Sequence, residues 1–276
     1  MSSESVYQDP TWGRMNGWNL VIPPSRPDTL DLARILEAIK HIDRTATVGV
    51  LGSTPEFRDL LYESGFRSIV VLERNLPFFA FVSQQRVYEN TEQVFEGNWL
   101  TTLPHLTSRF QLLLSDLTAG NIPYEKRAEF YSLITGALAP GGIFIDKLLT
   151  NENGLISISQ IQNRYSRLPI NLQTANYFSC EAVFCSELQA AQQVIDTTAI
   201  YDELSERLPG LRFRKLIQYS QLITPLGCLW YYGRPWPTLQ PTYCPELELV
   251  AKYDLASSQP YYNHGYQYLW QKGKGD

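Results

Sequence analysis

Four short apolar runs punctuate the first half of this chain: "TVGVL" (47–51), "SIVVLE" (68–73), "FQLLLSDL" (110–117) and "IFIDKLL" (143–149). Each is too short for a helix and too uniformly apolar for a strand with one wet face, so each reads as a strand buried on both sides. A shorter strand is expected within "EQVFEGNW" (92–99). Helical patterns separate them, and strands alternating with helices predict βαβ units. The expected fold is α/β: a doubly wound, mainly parallel sheet with helices on both faces. Right-handed crossovers then put the ligand crevice outside the C-terminal strand ends.

The intervening helices are legible from their spacing. In "DTLDLARILEAIKHID", Leu32, Ile35, Leu36 and Ile39 share one face and Asp28 caps the start. "PEFRDLLYESG" sets Phe57, Leu60 and Leu61 together and stops at Gly65. "LPFFAFVSQQRVY" reads as helical, and "PYEKRAEFYSLITGAL" (123–138) carries Phe130, Leu133, Ile134 and Ala137 on one stripe before "PGG" ends it. The expected layout is an N-terminal arm (1–27), an α/β core (28–149), a helical substrate-selecting segment (150–208), closing strands of the core (209–236) and an aromatic tail (237–276). "RFRKLIQYSQLIT" and "LGCLWYYGRPW" are the expected antiparallel closing pair, with Gly227 in the turn.

The chain has 276 residues, 44% of them hydrophobic, enough to bury a substantial core. Its 23 Lys+Arg against 28 Asp+Glu leave a net charge of −5, which counts against a nucleic-acid partner. No apolar stretch reaches the ~20 residues of a membrane span, and no secretory leader opens the sequence. The four cysteines, Cys180, Cys185, Cys228 and Cys244, form no C-x-x-C pair. These features predict a cytoplasmic protein with reduced thiols and no membrane partner. His41, His105 and His264 make no ligand-spaced cluster, so no metal is expected.

Four stations at the ends of successive strands carry the candidate chemistry. In "VGVLGSTPEF", Gly52, Ser53 and Thr54 form a strand–turn–helix junction. Pro55 suits the first helical position, Thr54 can cap, and Ser53 with Glu56 fits a capping box, so N–H donors are offered to a ligand. Glu73, with Arg74 beside it, ends the second strand 21 positions after Gly52, the spacing at which an acid accepts from ribose hydroxyls. In "FEGNW", Asn98 suits an adenine edge and Trp99 can stack beside the ring; Gly97-Asn98 is alternatively a plain turn. "LLLSDL" delivers Ser115 and Asp116 to a strand C-terminus, where a carboxylate faces bound substrate.

Together these stretches resemble the class I S-adenosylmethionine-dependent methyltransferases over roughly residues 47–149. "TVGVLGSTPEF", "VLERN", "FEGNWL" and "FQLLLSDL" look like four successive motifs, and "LITGALAPGGIFIDKLL" is similar to the family's helix–turn–strand. The first motif looks like a variant: Val50 replaces the usual acid, and Thr54 and Glu56 stand where further glycines are common. The resemblance implies S-adenosyl-L-methionine as cofactor. Gly52, Ser53 and Thr54 would meet its methionine part, Glu73 with Arg74 its ribose, and Asn98 with Trp99 its adenine. Ser115 and Asp116 would face the sulfonium, with Asp116 the first candidate to orient or deprotonate the acceptor and His105 and Lys147 weaker ones.

The implied activity is methyl transfer to a small-molecule or peptide-like acceptor, which segment 150–208 and the aromatic tail "YYNHGYQYLW" would help select, plain packing of that tail on the core being the preferred alternative. The arm carrying Trp12, Arg14 and Trp18 is a candidate lid. A nicotinamide oxidoreductase is disfavoured because the first turn lacks G-x-G-x-x-G. A non-catalytic binding or scaffold protein with a degenerate cofactor site is the main alternative.

Overall fold

The computed structural model describes residues 21–23, 25–89, 92–150, 154–189, 194–231, 245–255 and 265–274. The arm residues Trp12, Arg14 and Trp18 lie outside them. The chain divides into two compact units, one built on residues 26–148, 237–253 and 266–276, the other on residues 1–25, 149–236 and 254–265.

The first unit is the expected sheet. Its strands are β1 (Thr47–Leu51), β2 (Ser68–Glu73), β3 (Gln93–Glu96), β4 (Phe110–Asp116), β5 (Leu138–Leu149), β8 (Leu247–Asp254) and β9 (Gly265–Lys272). They lie in the order β3-β2-β1-β4-β5-β9-β8, and the five strands β3, β2, β1, β4 and β5 run parallel to one another. The chain runs outward from β1 to β3 and returns to place β4 on the other side of β1. That reversal is a topological switch point, and ligands bind at the C-terminal strand ends beside it.

Helices α1 (Thr29–Ala38) and α2 (Pro55–Glu63) cover one face. Ile35, Ile39, Phe57, Leu60 and Leu61 pack there on Val48, Val50, Ile69, Leu112, Leu114 and Ile145. Helix α5 (Tyr124–Ala137) serves the other face, where the Tyr131 ring meets Phe144 edge-on at 6.3 Å. Two shorter helices, α3 (Leu76–Ser83) and α4 (Trp99–Thr102), complete the crossovers. "APGG" lies within β5 rather than before it, and the β4–β5 register shifts there. Gly142 is required at that irregularity, since a Cβ would lie 2.8 Å from the Ala139 carbonyl oxygen and 2.9 Å from that of Phe110.

The second unit is helical: α6 (Ile158–Tyr165), α7 (Leu172–Phe184), α8 (Thr197–Arg207) and α9 (Leu211–Ile223), with a two-residue antiparallel pairing of β6 (Ile195–Asp196) and β7 (Leu229–Trp230). Helix α7 is buried continuously from Thr174 to Phe184. Its Asn176 amide donates to the carbonyls of Ile22 (2.8 Å) and Pro23 (3.1 Å), and its Glu181 accepts from the Tyr165 hydroxyl (2.8 Å) and pairs with Arg164. Burial pushes the Glu181 carboxyl up to about 7. Cys180, Cys185 and Cys228 are buried.

The closing strand pair is displaced from its expected place. "RFRKLIQYSQLIT" is helix α9, because Phe213, Leu216, Ile217, Ser220 and Ile223 are buried at helical spacing rather than alternating. The closing pair is instead β8 and β9, in the stretch expected to be a tail. Only residues 255–264 join them, too few for a parallel crossover, so they run antiparallel. Tyr266, Tyr268 and Trp270 of that tail are buried in β9 and serve as core rather than as an open wall. Lys272 at its end donates to the Thr135 and Leu138 carbonyls, each at 2.8 Å, and so caps the end of α5.

Candidate functional site

The crevice at the switch point is built from the segments that leave the C-terminal ends of β1, β2 and β4. Gly52 leaves β1 with φ +87°, and its N–H donates to the Leu72 carbonyl at 2.9 Å. A Cβ there would meet nothing within 4 Å, so the backbone borders open space and a ligand can approach it closely. Pro55 opens α2 as expected. The capping box does not form: Thr54 occupies the cap position without a side-chain bond to the helix. Ser53 directs its hydroxyl to Glu73, and Glu56 pairs with Arg26.

Glu73 is 6% exposed at the end of β2. One carboxylate oxygen accepts from the Ser53 hydroxyl and the other from the backbone N–H groups of Arg74 (2.7 Å) and Asn75 (2.8 Å). Burial raises its proton affinity, and these three donors together with the nearby Arg58 guanidinium work the other way. Arg58 is itself locked, with its Nε 2.9 and 3.0 Å from the two Glu92 oxygens and its guanidinium over the Phe79 ring. Arg86 joins Glu92 to Asp59, tying α2 to the segments after α3 and before β3.

Asn98 is engaged differently from the expectation of an adenine contact. Its side-chain oxygen accepts from the Leu100 N–H at 3.0 Å and caps α4, which is the plain-turn alternative. The Trp99 indole N–H donates to the Leu72 carbonyl at 2.8 Å, fixing this ring beside β2. His105 is exposed in a single-turn 3-10 helix (Leu103–Leu106).

Ser115 and Asp116 face opposite sides of the sheet, as strand alternation requires. Ser115 is paired in register with Asp146, and Asp116 with Lys147. Asp146 accepts from the Tyr131 hydroxyl at 3.0 Å, and burial pushes its carboxyl up to about 7. On the α1 side, the Lys147 ammonium lies 3.1 Å from Asp116, 3.4 Å from Asp31 and 2.9 Å from the Arg26 carbonyl oxygen. The Asp116 side chain is almost wholly buried, and burial drives its carboxyl up to about 6 against the pull of Lys147. Just beyond, Leu117 takes a left-handed conformation (φ 59°), and the Thr118 hydroxyl donates across the switch point to the Leu51 carbonyl at 3.1 Å.

The fold therefore brings Gly52, Ser53, Thr54, Glu73 and Arg74 together, and sets Asp116 in an ionic cluster with Asp31, Lys147 and Arg26. Arg26, Asp31 and Thr118 are not among the sequence candidates. Asp31 is detectable in principle, since it lies four and eight positions before Ile35 and Ile39 and so shares their buried stripe. Among the described residues, no group of three or more His, Cys, Asp or Glu is placed to hold a metal ion, and no helix is long and apolar enough to cross a membrane.

No family model matches this sequence, and no curated protein matches it. Solved structures do match in fold. One is described as a candidate Zn-dependent alcohol dehydrogenase from Rhodobacter sphaeroides, with 12% identity over 95% of this chain and 98% of that one and a TM-score of 0.57. A SAM-dependent methyltransferase from Methanosarcina mazei aligns at 9% identity over 87% and 98%, with a TM-score of 0.52. The N-methyltransferase NodS from Bradyrhizobium japonicum, in complex with S-adenosylhomocysteine, aligns at 9% identity over 95% and 96%, with a TM-score of 0.51. At such identities these likenesses concern architecture: the chain has a class I methyltransferase-like α/β fold.

Proposed function

We propose that this chain is an S-adenosylmethionine-dependent methyltransferase acting on a small-molecule or peptide-like acceptor. One observation carries the reading. A buried carboxylate, Glu73, is held in place by three neutral donors at the crevice beside the switch point, next to the open backbone of Gly52. A carboxylate so oriented accepts from two adjacent hydroxyls, which is what a ribose offers. The fold it shares with methyltransferases supports the same reading.

The residues present fit this cofactor. Glu73 would hold the ribose, with Arg74 beside it, and Gly52, Ser53 and Thr54 would line its amino-acid end. Trp99 and Asn98 remain the proposed adenine side, with the Trp99 ring as the wall, since the Asn98 oxygen already caps α4. The cofactor supplies a methyl group already activated on a sulfonium, so the protein's work is alignment and exclusion of water. Asp116 is the proposed group that orients the acceptor or takes its proton, and Lys147 holds that carboxylate in one position. Ser115 supports this strand end from the opposite face, beside Asp146.

Binding of S-adenosylmethionine and S-adenosylhomocysteine by calorimetry tests the reading. Both should bind, and Glu73→Ala should weaken them at least about tenfold, the loss of a charge-assisted hydrogen-bonding partner. No binding to the native chain would reject the cofactor, and an unchanged affinity in Glu73→Ala would reject the ribose assignment. The pairing of Asp116 with Lys147 favours a second reading, a non-catalytic binding protein on the same fold. Cofactor binding with no methyl transfer to any acceptor in a broad small-molecule and peptide panel would favour it.

A further inference from the structure

Two ionic groups lie at the strand ends beside the crevice, and they differ in access. The side chains of Lys147, Asp116 and Asp31 are 1%, 3% and 4% exposed, so their charges are closed to a ligand. The pair formed by Arg26 and Glu56 is reachable, at 23% and 15%. Glu56 is the second residue of α2, four positions past Gly52, whose backbone borders open space. The Arg26 guanidinium joins Glu56 and lies within electrostatic reach of Asp116. This side chain therefore extends from the segment before α1 to the start of α2, in the neighbourhood of the β4 end. Strand β1 ends in Val50 and Leu51, both apolar and buried, so it brings no charge to the crevice.

The amino-acid end of S-adenosylmethionine is a zwitterion, a carboxylate and an ammonium on one carbon. Its complement is a cation beside an anion, both partly open to solvent. We propose that Arg26 and Glu56 are that complement, Arg26 taking the cofactor's carboxylate and Glu56 its ammonium. This assignment rests on the S-adenosylmethionine reading above, and it supplies charged side chains for the end that Gly52, Ser53 and Thr54 line. A guanidinium suits the first task because its fork meets a carboxylate with two parallel N–H donors. An ionised carboxylate suits the second because it only accepts. In the structure each side chain answers the other's charge, so neither stands uncompensated beside the crevice. Binding a zwitterion adds a carboxylate for Arg26 and an ammonium for Glu56 without burying an unpaired charge. Asp116 does not compete for the ammonium, because Lys147 already answers it.

Calorimetry on the full chain with two probes tests the proposal. S-adenosylhomocysteine carries the amino-acid end, and methylthioadenosine has the same adenine, ribose and thioether without it. The native chain should bind S-adenosylhomocysteine at least about tenfold more tightly than methylthioadenosine. Arg26→Gln should weaken S-adenosylhomocysteine at least about tenfold and leave methylthioadenosine within about twofold, and that retained binding shows that the crevice is folded. Decarboxylated S-adenosylhomocysteine keeps the ammonium alone. Glu56→Gln should weaken it at least about fivefold, and Arg26→Gln should not weaken it. Equal losses of both probes in Arg26→Gln would make the pair a structural fastening and overturn the proposal, as would an unchanged affinity for S-adenosylhomocysteine. Where Arg26→Gln does not fold, the native chain decides: equal affinity for S-adenosylhomocysteine and its decarboxylated form overturns the carboxylate site. A native chain that binds neither S-adenosylhomocysteine nor methylthioadenosine rejects the cofactor reading itself, whereas one that binds both alike rejects this site alone.

Discussion

Glu73 and Asp116 end the two strands that flank β1, and burial raises the proton affinity of both, yet their partners differ in kind. Glu73 accepts from two backbone N–H groups and a hydroxyl, all neutral and all within its own turn or the adjacent one. Asp116 faces the ammonium of Lys147, which is shared with Asp31 and with the carbonyl of Arg26. Neutral donors fix a carboxylate's direction and leave its charge to be answered by a ligand. A buried cation answers the charge itself and ties the strand end to whatever else the cation holds. The first arrangement is that of a binding group. The second fastens β4, β5, α1 and the segment before α1, and presents a carboxylate only in one locked position.

Removing the shared cation should break this contrast with the largest effect. Lys147→Met keeps most of the side-chain volume but leaves Asp116 and Asp31 buried together without their ammonium. Breaking a buried ion pair from one side costs about 3–5 kcal/mol, which urea denaturation would register. A loss below about 1 kcal/mol, within the range of exposed pairs, would mean that the cluster contributes no more than a surface salt bridge.

The next effect is a pH dependence. The Asp116 carboxyl rises from 3.8 to about 6 on folding, so the folded state holds its proton more tightly than the unfolded chain does. The stability tied to this group is therefore greatest below its unfolded value and declines as pH rises through 3.8 to about 6. The slope approaches about 1.4 kcal/mol per pH unit. Asp146, raised to about 7, declines over a window that extends higher. Asp116→Asn removes one titrating group, so its unfolding free energy should lose less than the native protein's between about pH 4 and 6. Parallel curves for the two proteins would show that Asp116 titrates as an ordinary carboxylate.

The unequal legibility of the two carboxylates has the same origin. Glu73 is visible in the sequence because its role depends on local facts: a strand that ends there, a glycine turn at a fixed interval, and N–H groups on the next two residues. Asp116 is visible as a strand end. Its engagement with Lys147 is not, because that depends on the β4–β5 register and on the face α1 presents. Strands β1, β2, β4 and β5 are readable because uninterrupted apolar runs leave few alternatives. Strands β8 and β9 are not. In β8 an alternation of Leu247, Leu249, Ala251 and Tyr253 with Glu248, Lys252 and Asp254 is broken at Val250 and most side chains are exposed, while β9 is an aromatic strand buried on both faces that shows no alternation. Helix α9 imitates a strand although its buried positions keep a helical period, because "LIQYSQLIT" is rich in residues that favour strands.

The smallest expected effect separates two donors on the same carboxylate. Ser53→Ala removes one of the three neutral donors to Glu73 and leaves both backbone N–H groups in place. The carboxylate keeps its direction but loses a charge-assisted bond, worth about 1.5–3 kcal/mol when fully buried. Part of that returns when a ligand hydroxyl or water takes the vacant oxygen. A drop of about fivefold in S-adenosylmethionine affinity, about 1 kcal/mol, is expected, smaller than for Glu73→Ala. Arg74→Ala should change affinity less still, because its contribution to Glu73 is the backbone N–H that alanine retains. Calorimetry on the two variants in parallel gives the order. An Arg74→Ala loss exceeding that of Ser53→Ala would mean that the arginine side chain itself meets the ligand, and that Glu73 shares its binding role with a cation as Asp116 does.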